Sequence, residues 1–228
     1  GTDNQIEVNA NDRYTQDRWK VPHSESDNWK FERIYRINFF LSEALPKFGE
    51  DMSGSQNTIS GSVATIKHYI GEMYFLRAYE YFKKLQLFGD FPIINQPLAD
   101  EMEALREASK RFPRNEVARF IISDLDKAYA YMSDVDMATT RINKDVAMLV
   151  KSRVALFEAT WLQNFKGTAF VPGGEGWPGA SLHNNYQYPS GNIDNEVKYF
   201  LEQAVEASKL VADKYKGSLT ENTGVLQQ

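Results

Sequence analysis

The stretch from Gly167 to Gly191 holds residue types suited to binding sugars. Trp177, Tyr186 and Tyr188 offer flat apolar faces on which a pyranose ring can stack, and His183, Asn184, Asn185 and Gln187 beside them offer polar groups for its hydroxyls. Loops carried on a rigid scaffold suit that work. The competing reading of the same stretch is that its aromatic rings fold back onto the helices. Trp19, in the polar opening segment, and Asn57, in a Gly/Ser-rich loop, are further candidate ligand contacts.

Catalytic chemistry finds less support. A glycosidase needs two carboxyl groups facing one bond, and the 167–191 stretch has a single carboxylate, Glu175. His23, His68 and His183 are scattered. His68 and Glu72 stand four residues apart on a helix pattern, where they either share a metal or simply contact each other. Asp134-Val135-Asp136 resembles the opening of a calcium loop, but Ala138 takes the next ligand position and no Gly or terminal Glu follows in register. No metal, cofactor or phosphate cradle is expected. An α-helical carbohydrate-active enzyme is the remote alternative.

Composition narrows the class further. The 228 residues include 42% apolar and 25% charged side chains, the balance of a globular chain with a sizeable core. Aromatics reach 13%, which fits a bulky core and also supplies stacking surfaces. The net charge of −5, without any long Lys/Arg run, gives no nucleic-acid footprint. No apolar run is long enough to span a bilayer as a helix. Cysteine is absent, which removes disulfides and thiolate chemistry. The opening Gly1-Thr2-Asp3-Asn4, without Met, suggests processing that removed any signal peptide or lipid-bearing Cys.

The elements that would position these residues are helices. Residues 1–28 are polar and Asn/Asp-rich and are expected to form a loop. A helix is predicted from Trp29, with Ile34, Ile37, Leu41 and Ala44 on one face and Pro46 and Gly49 ending it. After the 49–62 loop, Val63–Phe88 is apolar nearly all round and is expected to lie centrally. Gly89 stops it, Asp90 is a candidate to bond nearby backbone amides, and Pro92 holds the chain extended. Arg77, inside that apolar helix, needs a carboxylate or carbonyl partner from another helix and reads as an internal brace. Three more helices are predicted: from Asn115 on Val117, Ile121, Leu125, Ala128 and Met132; over 143–165 on Val146, Val150, Val154, Phe157 and Trp161; and from Asp194 or Asn195 on Val197, Leu201, Ala204, Val205 and Ser208. Amphipathic helices joined in pairs by loops predict an all-α, mainly α chain with an α-solenoid architecture and long loops. The last helix lacks a sequence partner, so more chain is expected to follow it.

Particular blocks carry a family likeness. Gly71-Glu72-Met73-Tyr74-Phe75-Leu76-Arg77-Ala78-Tyr79-Glu80-Tyr81-Phe82 and Leu87-Phe88-Gly89-Asp90-Phe91-Pro92 come first. Phe112-Pro113-Arg114 with Phe120-Ile121-Ile122-Ser123-Asp124-Leu125 is next, then Arg141-Ile142-Asn143-Lys144 with 151–161, and finally Tyr199-Phe200-Leu201. In that order they resemble the SusD/RagB family. The resemblance covers 71–212 and implies the front portion of a member, with 1–228 forming its N-terminal helical-repeat region. It implies tetratricopeptide-like helix pairs, a lipid-anchored protein on the outer membrane, oligosaccharide as ligand and no catalysis. It also implies a SusC-like TonB-dependent transporter as partner. Family glycan contacts include aromatics in loops near the first helix pair, and the 49–62 loop here has none. The alternative is a helical-repeat module that captures peptide or protein.

Overall fold

The computed structural model describes residues 28–49, 51–133 and 140–219. The chain divides into two units, Gly1–Phe31 and Glu32–Gln228. In the first, Trp29 meets Phe31 edge-on at 5.9 Å.

The second unit is helical. Its elements are α1 (Glu32–Phe48), α2 (Val63–Phe88), the short α3 (Met102–Ala108), α4 (Arg114–Tyr131), α5 (Lys144–Asn164) and α6 (Ile193–Tyr215), with 3-10 turns at Pro178–Ser181 and Lys216–Ser218. Among the described residues the extended pairing is a single antiparallel bridge, Phe91 with Phe112. The principal helices stack in series: α1 on α2, α2 on α4, α4 on α5 and α5 on α6. This is an all-α solenoid, as the helix pattern predicts.

α2 lies between α1 and α4 and buries Ile70, Tyr74, Phe75, Ala78, Tyr81, Phe82 and Leu85. Each such large side chain contributes about 1.5–3 kcal/mol. Leu76 is half-buried, and Tyr79 and Leu87 are exposed, so the helix is not buried all round. The α4 face of Val117, Ile121, Leu125, Ala128 and Met132 is buried throughout. α1 starts at Glu32 rather than Trp29 and runs through Pro46 to Phe48, although Pro46 has no N–H to give the Ser42 carbonyl. α6 is capped two or three residues earlier than predicted. Asn192 is its cap, with Oδ1 accepting from the Asn195 N–H at 2.9 Å. α3 escapes sequence reading because it buries nothing and so has no apolar stripe.

On α5 and α6 the buried faces are rotated from the predicted stripes. α5 turns Ala147, Met148, Val154, Ala155, Ala159 and Leu162 inward, whereas Val146 is exposed. α6 turns in Phe200, Ala204, Ala207 and Val211, leaving Leu201 and Val205 in solvent. Alanines let these two axes approach closely, so the small residues mark the seam.

Buried polar groups tie the stack together. His68 Nδ1 accepts from the Ser133 backbone N–H at 3.1 Å, leaving Nε2 facing Glu72 at 3.5 Å. Arg141 holds the other Glu72 oxygen. Both members of the His68–Glu72 pair are therefore engaged with protein groups. The calcium-like 134–138 segment lies outside the described residues.

Candidate functional site

The 165–191 loop leaves α5 at Phe165 and lies along the end of α2 and the start of α4. What holds it there is a set of side-chain bonds from its own aromatics. Trp177 Nε1 donates to Asp90 Oδ2 at 2.8 Å, and Asp90 Oδ1 accepts from the Arg114 backbone N–H at 2.9 Å. The carboxylate that follows the α2 stop thus caps α4 and anchors the loop. Burial pushes the Asp90 carboxyl up, against the opposing pull of those two donors.

Gly179 lies flat against the Trp177 indole, where a Cβ would come within 2.2 Å of the ring. His183 stacks near Trp177, with centroids 6.0 Å apart, and donates from Nε2 to the Arg111 carbonyl at 2.8 Å. Tyr186 meets Trp177 at 5.7 Å and Tyr188 at 5.2 Å. The Tyr186 hydroxyl accepts from Asn115 Nδ2 at 2.9 Å, and the Tyr188 hydroxyl donates to the Pro172 carbonyl at 2.7 Å. Burial pushes both phenols well above their ordinary range, so both stay protonated.

The structure therefore brings Trp177, Tyr186 and Tyr188 together as one cluster packed on the helices. Trp177 is only 5% exposed. Asn185 is exposed on the same loop in a left-handed conformation, with φ of 56°. Asn57 belongs to a separate loop, where Oδ1 accepts from the Ile59 N–H and Nδ2 donates to the Ile59 carbonyl. Trp19 lies outside the described residues.

Beneath the loop is a cleft of about 530 Å³, bounded by the end of α2 from Leu85 to Asp90, by Arg111 and Arg114, and by Trp161, Phe170, Trp177 and Leu182. Of the residues singled out from sequence, Trp177 and Asp90 reach its wall. Phe170 is the ring most open to it, at 62% exposure, with Leu87 and Leu182 also exposed. Its orientation is set from behind. The Phe170 carbonyl accepts from Trp161 Nε1 at 3.0 Å, and its ring meets Phe165 edge-on at 5.4 Å. Sequence reading overlooks Phe170 because nothing local separates an inward ring from an outward one.

Arg114 closes the cleft floor. Its Nε and Nη2 bind Glu158 of α5 at 2.9 and 2.8 Å, and its guanidinium stacks over Trp161 at 4.1 Å. Burial pushes the Glu158 carboxyl up, opposed by Arg114.

A second buried carboxylate fixes the far end of the loop. Glu196 accepts from Arg119 Nε at 2.6 Å and Nη2 at 2.8 Å, from Asn115 at 3.1 Å and from the Ser190 N–H at 3.2 Å. Burial alone would raise this carboxyl, but the donors outweigh it and hold it below the usual range. Folding therefore favours ionised Glu196. Its contribution is complete above the unfolded value of about 4.3 and is lost as pH falls through the lower folded value. Glu196→Gln is expected to cost about 2 kcal/mol near neutrality. Urea unfolding of both proteins from about pH 7 down to about pH 3 should show that gap closing in acid.

The profile of the SusD-like family described as "starch-binding associating with outer membrane" matches residues 3–156, more than half of the chain. This chain belongs to that SusD-like family. It is similar to SusD-like protein P2 of Formosa agariphila, with 30% identity over 100 residues, covering 44% of this chain and 19% of that protein. Among solved structures it resembles a SusD-like protein from Bacteroides fragilis at 24% identity and a TM-score of 0.44, covering 58% of this chain and 23% of that one. A SusD-like carbohydrate binding protein from Bacteroides vulgatus aligns at 18% identity and a TM-score of 0.46, over 82% of this chain and 30% of that one. A laminarin binding SusD-like protein aligns at 20% identity and 0.45, over 60% and 27%. The chain spans less than a third of the length of each of these proteins.

Proposed function

We propose that this chain is part of a non-catalytic oligosaccharide-binding protein of the outer membrane, lipid-anchored at the cell surface, that delivers glycans to a SusC-like TonB-dependent transporter. The family match over residues 3–156 carries the reading. The cleft under the 165–191 loop is the candidate site, with Phe170 as the stacking platform, Asn185 exposed on the same loop and Tyr188 in the packed cluster that holds it. A rigid concavity with an exposed ring and a few polar groups is the form that sugar binding takes. Absence of catalysis is supported by how the cleft carboxylate is used. Asp90 is the carboxylate among the cleft-lining residues, and its oxygens accept from Trp177 Nε1 and the Arg114 backbone N–H, so the cleft wall holds no facing pair of carboxylates.

Calorimetric titration of the full-length protein with a panel of neutral and acidic oligosaccharides tests the reading. At least one should bind without turnover, and Phe170→Ala should weaken it about tenfold, or about 1.4 kcal/mol. Silence across the whole panel defeats the proposal, as does binding that is indifferent to Phe170→Ala for this cleft.

A further inference from the structure

Arg114 is 3% exposed, yet only one edge of its guanidinium is used. Nε and Nη2 hold Glu158, while Nη1 makes no hydrogen bond with any of the described residues. Nη1 is not sealed off, since His68 Nε2 is the one fully buried side-chain nitrogen or oxygen among the described residues without a hydrogen bond, so Nη1 opens on the cleft with its charge permanent. Nη1 lies at the Gly89 wall of the cleft, where a Cβ on that glycine would stand 3.5 Å away. Gly89, at φ 67°, both turns the chain and leaves this nitrogen uncovered. The unused edge, formed by Nη1 and the remaining N–H of Nη2, is a planar fork suited to an acceptor with two coplanar oxygens.

Asp90, the carboxylate on the cleft wall, has both oxygens already taken by the Trp177 and Arg114 N–H groups, so it does not compete for the unused edge of Arg114. With Glu158 beneath Arg114 the local charges balance, and a carboxylate would be drawn by that edge rather than by excess positive charge.

We propose that the cleft is selective for acidic saccharides, with a uronate carboxylate on the free edge of Arg114 and the sugar ring against Phe170. This rests on the reading of the chain as a saccharide binder and names the sugar class. The paired state of Arg114 is part of the device, because Glu158 holds the guanidinium in place and presents its other edge outward.

The test titrates the full-length protein with trigalacturonate, the methyl ester of the same trisaccharide, and laminaritriose. The acid should bind at least tenfold more tightly than the ester. Arg111→Gln, at the exposed rim, should narrow that ratio about threefold. Gly89→Ala, whose methyl would sit in van der Waals contact with Nη1 at 3.5 Å and cover it, should narrow it further, with circular dichroism confirming that the variant is folded. Equal affinity for acid and ester, or binding of laminaritriose alone, overturns the carboxylate contact and leaves the saccharide reading standing. Acid preference unchanged in Arg111→Gln and in folded Gly89→Ala places the carboxylate elsewhere and likewise overturns it. Silence toward all three overturns this inference, and silence across the wider panel overturns the saccharide reading too.

Discussion

Replacing Arg77 with methionine is expected to remove about 3–5 kcal/mol of folding stability at neutral pH. The side chain fits in volume, so the loss reports charge and hydrogen bonding rather than a cavity. In the native protein Nε and Nη2 bind Asp124 at 2.6 and 2.8 Å, and Nη1 binds Asn38 Oδ1 at 2.9 Å and the Asn95 carbonyl at 3.0 Å. The guanidinium also stands between the rings of Tyr74 and Phe120, at 5.3 and 5.2 Å. One side chain thereby joins α1, α2, α4 and the segment after the α2 stop. Its removal strands Asp124, which is wholly buried. Burial already pushes this carboxyl up against the pull of Arg77, and without the arginine it must rise further. A raised carboxyl costs stability above its folded pKa, where it must ionise, and the cost fades as pH falls below it. The deficit of the variant should therefore shrink in acid. Denaturant unfolding at several pH values measures this, and a pH-independent loss below about 1 kcal/mol would show the brace to be dispensable. Lysine should not rescue, since one ammonium cannot serve both carboxylate oxygens and the two acceptors from α1 and the loop.

The second large effect falls on Glu158→Ala, expected to cost about 3–5 kcal/mol. The stranded group is now Arg114, 3% exposed and stacked on Trp161. Arginine stays charged throughout the accessible range, so no protonation change can relieve it. The wild type, whose Glu158 carboxyl is raised by burial, gains stability as pH falls through that folded value and the variant does not, so the deficit should widen in acid, opposite to Arg77→Met. Replacing both partners by leucine removes the stranded charge and should recover most of the loss, because a buried pair often does little better than apolar residues of similar volume. Equilibrium unfolding of Arg114→Leu, Glu158→Leu and the double leucine variant forms the cycle that measures this coupling. Additive losses would mean that the two side chains act independently.

These effects also bear on what can be read before folding. Arg77 stands in an apolar helix, which is enough to require a partner elsewhere, but that the partner is Asp124 depends on the α2–α4 packing. The α4 stripe is legible because large apolar residues recur on one face. On α5 and α6 the eye follows Val146, Leu201 and Val205, whereas the packed seam runs through alanines and buried Glu158, Lys151 and Glu196. A salt-bridged core position and a solvent position have the same residue types, so periodicity assigns them alike. The sugar-binding composition of the 167–191 stretch is visible in its residues. The division of labour within it is not, since Trp177 and Phe170 differ in exposure through contacts with Asp90, Gly179 and Trp161 that lie far apart in sequence or depend on loop geometry.

Helices stacked in a row invite fraying from either end, because each layer leans mainly on its neighbours. Here the ionic ties converge on α4. Its Asp124 is linked through Arg77 to α1 and α2, its Arg114 to α5, and its Arg119 and Asn115 to α6. Opening an outer layer therefore exposes a charge whose partner sits at the centre, and the penalty is shared by the whole row. The array is therefore expected to melt as one body instead of peeling, and native-state hydrogen exchange should give amide protons in α6 the same opening free energy as those in α4.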